Sequence, residues 1–284
     1  MYTTDDARDF ELDPRPARVV AFGSQLVFGS VGLNAAMPVY EEAGVRCAAV
    51  PTLVLSNLPH YPSVQTVEVT PEWIDAALRD LGATGALRAV EAIAVGYLAS
   101  PGQAHAIAAW YRSLDERERP PLILDPTFGD SDVGFYTDPA VAPALRDALV
   151  PLAAVLTPNR FELEHLVGPG HPAGPEHPAG EASDEADSGI TGLARRLLLP
   201  AGRAPSDHCT VIVTGVHTDE GVIDNLIVTA DEHRTVSGPE IATWAKGLGD
   251  TFTAALVTRL ITGDDVHTAV AAAAARVRYA IEHR

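Results

Sequence analysis

Lys246-Gly247-Leu248-Gly249-Asp250-Thr251-Phe252 is a glycine-rich turn that opens directly into the helical run TFTAALVTRLI at 251–261. Two glycines let the backbone come close to a ligand and aim its N–H groups one way, and a helix N-terminus adds about half a positive charge. The stretch reads as an anion cradle at the head of a long helix near the end of the chain. Asp250, taken alone, reads as an acid that caps this helix and offsets its dipole.

The chain before this turn alternates short apolar runs with amphipathic stretches. ARVVAFG from Ala17 is followed by Leu33, Ala36, Met37 and Tyr40 at helical spacing and then by VRCAAVPTLVL from Val45. Thr70-Pro71-Glu72 is an N-cap with proline at the first helical position. Strand-like runs then recur at AIAVGY, PLILD, AAVLT and CTVIVT, separated by helices expected near 102–114, 139–149 and 190–199. Further strand-like runs at VIDNLIVTA and HRTVS precede two alanine-rich helices that begin near Gly249. Near-continuous apolar strands separated by crossover helices predict a doubly wound α/β sheet, mostly parallel and flanked by helices. Residues 1–16 are polar and acidic and predict a disordered extension to a domain spanning 17–284. Residues 168–189, dense in Gly, Pro and acid, predict a flexible insertion, in which His171 and His177 form at most a weak metal site.

Composition narrows the function classes. A chain of 284 residues, 46% hydrophobic and 20% charged, can bury one substantial core. A net charge of −18 with no offsetting basic cluster argues against nucleic acid and anionic membrane surfaces as partners. The chain lacks an apolar run of about 18 residues and a cationic, apolar N-terminal leader, which predicts a soluble cytoplasmic protein. Cys47 and Cys209 lie in apolar strand-like runs and read as small core hydrophobes.

Two further signals lie at strand ends, where open parallel sheets place their ligand crevice. In LILDPTFGD the strand ends at Asp125, and a short turn carries Gly129-Asp130. Asp125 is either a turn aspartate or an acid placed for a metal or a phosphate-bound water. In VLTPNRFELEHL a strand runs through Thr157-Pro158-Asn159 into a helix with Glu162 on its first turn, where an acid is ordinary dipole compensation.

These segments resemble a known family. The glycine-rich turn resembles the G-x-G-D signature of the ribokinase superfamily, LILDPTFGD the DPVxGD motif of pyridoxal kinases, and TPNRFE the superfamily's TPNxxE. AFGSQLVFGSVGLNAA (21–36), LVLSNLPHY (53–61) and Gly96-Tyr97 are similar to the segments with which pyridoxal kinases surround the vitamin. The resemblance implies a ribokinase-like fold, with a small edge flap from residues 51–69. It implies ATP-dependent phosphorylation of the hydroxymethyl group of pyridoxal or a related B6 vitamer. By the same resemblance Asp250 is the general base, Gly247, Gly249 and the following amides beginning at Leu248 form the anion hole, and Ser24, Ser56 and Tyr97 face the vitamer. Asp125, Asn159, Glu162 and Thr214 line ATP and Mg²⁺, with Asp125 and Glu162 nearest the metal. Lys246 reads either as a solvated surface lysine or as a phosphate contact. Potassium and a homodimer are further implications.

The sequence also departs from the pattern. Gln25 replaces the family's His, Gly23 its Gln, Leu58-Pro59 its His-Thr pair and Leu248 its usual threonine or small residue. A kinase of the same fold for hydroxymethylpyrimidine or another small alcohol is therefore one alternative, and a catalytically silent nucleotide- or vitamer-binding relative is another. A Rossmann dehydrogenase does not fit, because AFGSQLVFGSVG lacks the G-x-G-x-x-G spacing.

Overall fold

The computed structural model describes residues 15–168, 189–198, 209–218 and 221–283. His171, His177 and residues 169–188 of the expected insertion lie outside the described residues, as do residues 1–14 of the extension. The chain begins with β1 (Val19–Leu26), crosses through α1 (Leu33–Glu42) and returns in β2 (Cys47–Leu55). A three-residue strand, β3 (Thr66–Glu68), turns back along β2 before α2 (Pro71–Ala83). Thr70 caps α2, its side chain accepting from the Trp73 amide, and Pro71 takes the first helical position.

Three more crossovers follow. β4 (Ala92–Val95) leads into α3 (Pro101–Ser113), and β5 (Leu122–Leu124) ends at Asp125. A small hairpin of β6 (Gly129–Asp130) and β7 (Gly134–Phe135) stands where the sequence showed only a turn, since two-residue strands are too short to carry an alternating pattern. Then come α4 (Val141–Ala148), β8 (Val155–Leu156), α5 (Arg160–Val167) and α6 (Ile190–Leu198). The chain closes with β9 (Thr210–His217), β10 (Val222–Val228), β11 (His233–Pro239), α7 (Leu248–Ile261) and α8 (Val266–Glu282).

Nine of the described strands form one sheet in the order β11-β10-β9-β8-β5-β4-β1-β2-β3. Every pairing from β2 to β9 is parallel, and the three outer pairings are antiparallel. The segment expected as an edge flap is thus the edge of the sheet itself, because β3 pairs with the last three residues of β2.

Alternate strand residues pack opposite faces, as the period of two requires. Val20, Phe22, Ile93, Val95, Leu122 and Leu124 face α2 to α6, whereas Val19, Ala21, Ala92, Ala94 and Ile123 face α1, α7 and α8. Cys209 is buried in the first of these clusters, and Cys47 packs against the second. Strand order reverses at β1, with β2 on one side and β4 on the other, so a crevice opens at their carboxyl ends.

Candidate active site

The N-terminus of α7 reaches this crevice. Its N-cap, Gly247, has φ 78°, and a Cβ there would lie 2.1 Å from the Ser30 carbonyl oxygen. Only glycine fits this close approach. The cap has no side-chain partner, so the amides of Leu248 and Gly249 are among the donors a helix start leaves without an intrahelical acceptor. Gly249 is exposed, and a Cβ on it would meet only Asp125 Oδ2, at 3.7 Å.

Asp250 sits at the third helical position, and its Oδ2 accepts from the Gly32 amide at 2.8 Å. Gly32 is the N-cap of α1 with φ 57°, and a Cβ on it would lie 2.3 Å from both the carbonyl and the hydroxyl oxygens of Ser24. One glycine therefore separates buried Ser24 from Asp250. Burial raises the Asp250 carboxyl above its ordinary value, although the Gly32 amide and its own backbone N–H pull the other way.

Asp125, 7% exposed, follows β5 directly. Thr127 Oγ1 donates to its Oδ1 at 2.8 Å and Thr253 Oγ1 to its Oδ2 at 2.9 Å, and Thr253 in turn lies 3.2 Å from the Thr157 hydroxyl. Thr253 is on α7, so this link ties the acid at the end of β5 to the helix that carries Asp250. Thr127 has φ 40°, strained for a β-branched residue, and is the one non-glycine with positive φ among the described residues. Burial, then the charge of Asp250, pushes the Asp125 carboxyl up to about 7, and the two threonine hydroxyls partly oppose this.

Glu162 is 2% exposed and binds backbone with both oxygens: Oε1 accepts from the Phe128 amide at 3.1 Å and Oε2 from the Asn159 amide at 3.0 Å. Asn159 completes a capping box by accepting from the Glu162 amide, and its Nδ2 donates to the Gly129 carbonyl at 2.8 Å. Thr214 lies inside β9, which runs on to His217; it bridges to Asn159, and its amide donates to the Pro158 carbonyl at 2.9 Å. The two turns read separately in the sequence are thereby one unit. Burial, then the Asp125 charge, lifts the Glu162 carboxyl well above its ordinary value. A cavity of about 30 Å³ lies beneath, lined by Asp125, Asp250, Gly32 and Gly96 among others.

The sequence model of the phosphomethylpyrimidine kinase family matches residues 27–284. A pyridoxine/pyridoxal/pyridoxamine kinase of Bordetella bronchiseptica is 40% identical over 273 residues, which are 95% of this chain and 90% of that protein. The chain belongs to the pyridoxal kinase family. A pyridoxal kinase of Rubrobacter xylanophilus is 26% identical over 93% of this chain and 86% of its own. Pyridoxal kinase from Entamoeba histolytica matches with a TM-score of 0.79 at 21% identity, over 95% of this chain and 90% of that one. Pyridoxal kinase from Leishmania donovani in complex with ADP gives 0.77 at 22%, over 93% and 86%. The ribokinase-like fold expected from the sequence is the fold observed.

Among the residues singled out through the pyridoxal kinase pattern, Asp125, Glu162, Asn159, Asp250, Gly247, Leu248 and Gly249 converge on the crevice, and Thr214 joins them through Asn159. Lys246 is exposed just before the cradle. Tyr97 is half-buried at the end of β4, its hydroxyl raised by burial and then by the charge of Glu68 on β3. Ser56 lies just after β2, where its hydroxyl donates to Asn57 and accepts from the Gln65 amide, closing the turn between β2 and β3. Gln25, in the family's His position, donates to Asn34 at 2.7 Å, and Asn34 also clamps the backbone of Leu26.

Tyr136 is a residue the sequence reading missed. It follows β7, its amide donates to the Phe128 carbonyl at 3.0 Å, and although the residue is 47% exposed its hydroxyl is raised by desolvation and then by the charges of Glu162, Asp125, Asp250 and Asp130. Phe135 anchors this hairpin, its ring centroid 5.5 Å from that of Phe128 and 5.2 Å from that of Phe161. No motif signals Tyr136; only the hairpin brings it back.

The donor set fits a magnesium ion of one kind. Among the described residues no three His, Cys, Asp or Glu side chains form a metal cage. Burial is the larger cause in both, but the Asp250 charge also raises Asp125 and the Asp125 charge Glu162, so a cation near them would relieve mutual repulsion. Mg²⁺ held by one or two carboxylates, water and phosphate oxygens suits such a site. Among the described residues no helix is long and apolar enough to cross a membrane.

Proposed function

We propose that the protein transfers the γ-phosphoryl group of ATP to the hydroxymethyl group of pyridoxal or a related B6 vitamer, giving the 5'-phosphate and ADP. The observation that carries this reading is Asp250, a carboxylate of raised pKa on the first turn of α7, between an open anion cradle and buried Ser24. The pyridoxal kinase family, to which the chain belongs, gives the substrate class.

In this reading Oδ2 of Asp250 stays on the Gly32 amide and the other oxygen takes the proton of the substrate hydroxyl. The alkoxide oxygen forms its bond to the γ-phosphorus as the bond to the β-phosphate oxygen breaks, and ADP leaves with that electron pair. The amides of Gly247, Leu248 and Gly249 are donors preset for the phosphoryl oxygens, which is where charge stabilisation contributes most. Lys246, Asn159 and Thr214 line the remaining phosphates. Ser24 and Tyr97 orient the vitamer, and Ser56 shapes the edge beside them. Asp125 and Glu162 would hold Mg²⁺, which when bound neutralises phosphate charge. A cytoplasmic homodimer belongs to the same reading.

ATP consumption measured with Mg²⁺, with and without K⁺, tests the proposal across pyridoxal, pyridoxine, pyridoxamine, hydroxymethylpyrimidine and ribose, each against a no-substrate control. Selective turnover of a B6 vitamer is expected. Turnover of a different alcohol keeps the mechanism and rejects the substrate, and silence with all five despite ATP binding favours a silent relative.

Glu162→Gln is expected to raise the Mg²⁺ concentration for half-maximal activity by about tenfold, the usual scale for residues that orient a metal's ligands. Glutamine keeps one oxygen to accept from the Phe128 or the Asn159 amide and turns an NH2 toward the other, so a melting curve run beside the titration separates loss of metal from local loosening. An unchanged Mg²⁺ titration would remove Glu162 from the metal site.

A further inference from the structure

We infer that Thr52 and Gln103 are positioning residues that hold the loop 96–100, and with it Tyr97, over the vitamer end of the crevice. The inference rests on the reading of Tyr97 as vitamer-facing and adds the parts that place it.

The first observation is a β-bulge. β1 and β2 pair Gly23 with Pro51 but Ser24 with Leu53, so Thr52 is an extra residue inserted beside the candidate substrate serine. A bulge re-aims a side chain, and bulges gather next to active sites. Thr52 is fully buried, and its Oγ1 donates to the Tyr97 carbonyl at 2.6 Å. β1 lies between β2 and β4, so this bond reaches across the carboxyl end of β1. The regular ladder holds the segment only as far as Gly96, whose amide donates to the Phe22 carbonyl. From Tyr97 onward the chain leaves the sheet, and Thr52 meets it there.

The second observation is Gln103, an amide with no exposed surface on the first turn of α3. Its Oε1 accepts from the Ala99 amide at 2.7 Å, and its Nε2 donates to the Thr52 carbonyl at 2.8 Å and the Val69 carbonyl at 2.6 Å. All three partners are backbone groups of the loop, the bulge and the return from β3, and Gln103 adds to the one backbone bond that already joins the last two, from the Val69 amide to the Thr52 carbonyl at 3.1 Å. Gln103 therefore fixes Thr52, and both fix the loop, one at Tyr97 and the other at Ala99. A leucine would fill the same space in a core built only for packing, so a fully satisfied buried amide here sets geometry.

Thr52→Val removes the hydroxyl and keeps the shape. It should raise KM for pyridoxal about tenfold, the scale of one buried carbonyl left unpaired, with the KM for ATP within about twofold and kcat reduced less than KM is raised. Thr52→Ser should restore the native KM. In a Tyr97→Ala background Thr52→Val should add less than about twofold, because the group being positioned is gone. Unchanged KM values in folded Thr52→Val would overturn the inference. So would a rise in both KM values together with a lower melting temperature, which marks plain scaffolding. Native protein silent toward every B6 vitamer would instead reject the proposed function, so the two failures are distinct.

Discussion

Asp250→Asn is expected to lower kcat by about 10²–10⁴-fold, the contribution of a positioned general base, while ADP affinity stays within a few-fold. The substitution keeps the shape and the hydrogen bond. An asparagine Oδ1 can still accept from the Gly32 amide, now 2.8 Å from Oδ2, so the contact between the N-termini of α7 and α1 survives. The cradle at Gly247 is set by its left-handed backbone and close approach to Ser30, neither of which involves the side chain of Asp250. What disappears is an oxygen able to take a proton, which matters in the transition state and little in the ground state. Single-turnover phosphorylation and ADP titration separate the two. Loss of ADP binding with turnover retained would show that Asp250 is a cap for α7 and α1 and not a base.

Much of this site was legible because parallel strands buried on both faces are near-continuous apolar runs, and a ligand crevice lies where they end. Asp125, Asn159 and Thr214 each follow or close such a run, and a helix start with two glycines marks Asp250. The groups that hold these residues were not legible. Thr253 lies 128 residues from Asp125, and Glu162 lies 34 residues from Phe128, so neither bond has a local pattern. Gln103 and Thr52 belong to no motif, and the backbone atoms they bind across the fold lie 51 and 45 residues away. The pairing of β3 along the edge at 51–69 was not legible, because β3 has three residues, all exposed, too few to show a period. The sequence also allowed Glu162 a bland reading as dipole compensation; its capping box is there, and the same carboxylate also pins the Phe128 turn.

Asp125→Asn is expected to make the ligand-free protein more stable at pH 8 while leaving it unchanged near pH 4. Asp125 titrates at about 7 in the fold against an ordinary 3.8, so across that interval the folded chain keeps a proton that the unfolded chain has released. Stability therefore falls as pH rises through this window, and it is fully present only below the lower value. The gap corresponds to an upper bound of roughly 4 kcal/mol. A realised gain of about 1–2 kcal/mol would raise the melting temperature by some 2–8 °C for a domain of this size. Asparagine can be accommodated because the Thr127 and Thr253 hydroxyls, 2.8 and 2.9 Å from the carboxylate, can each rotate to donate or accept. Melting curves from pH 4 to 8 without ligand test this, and an equal difference at both ends would show that repacking, not charge, is responsible. Adding MgADP should reverse the order, the native protein gaining more than the variant, because the cation favours the ionised carboxylate. Burial and the neighbouring Asp250 charge thus work against the ionised form of Asp125, a cost a folded protein retains where the same charge is needed to bind.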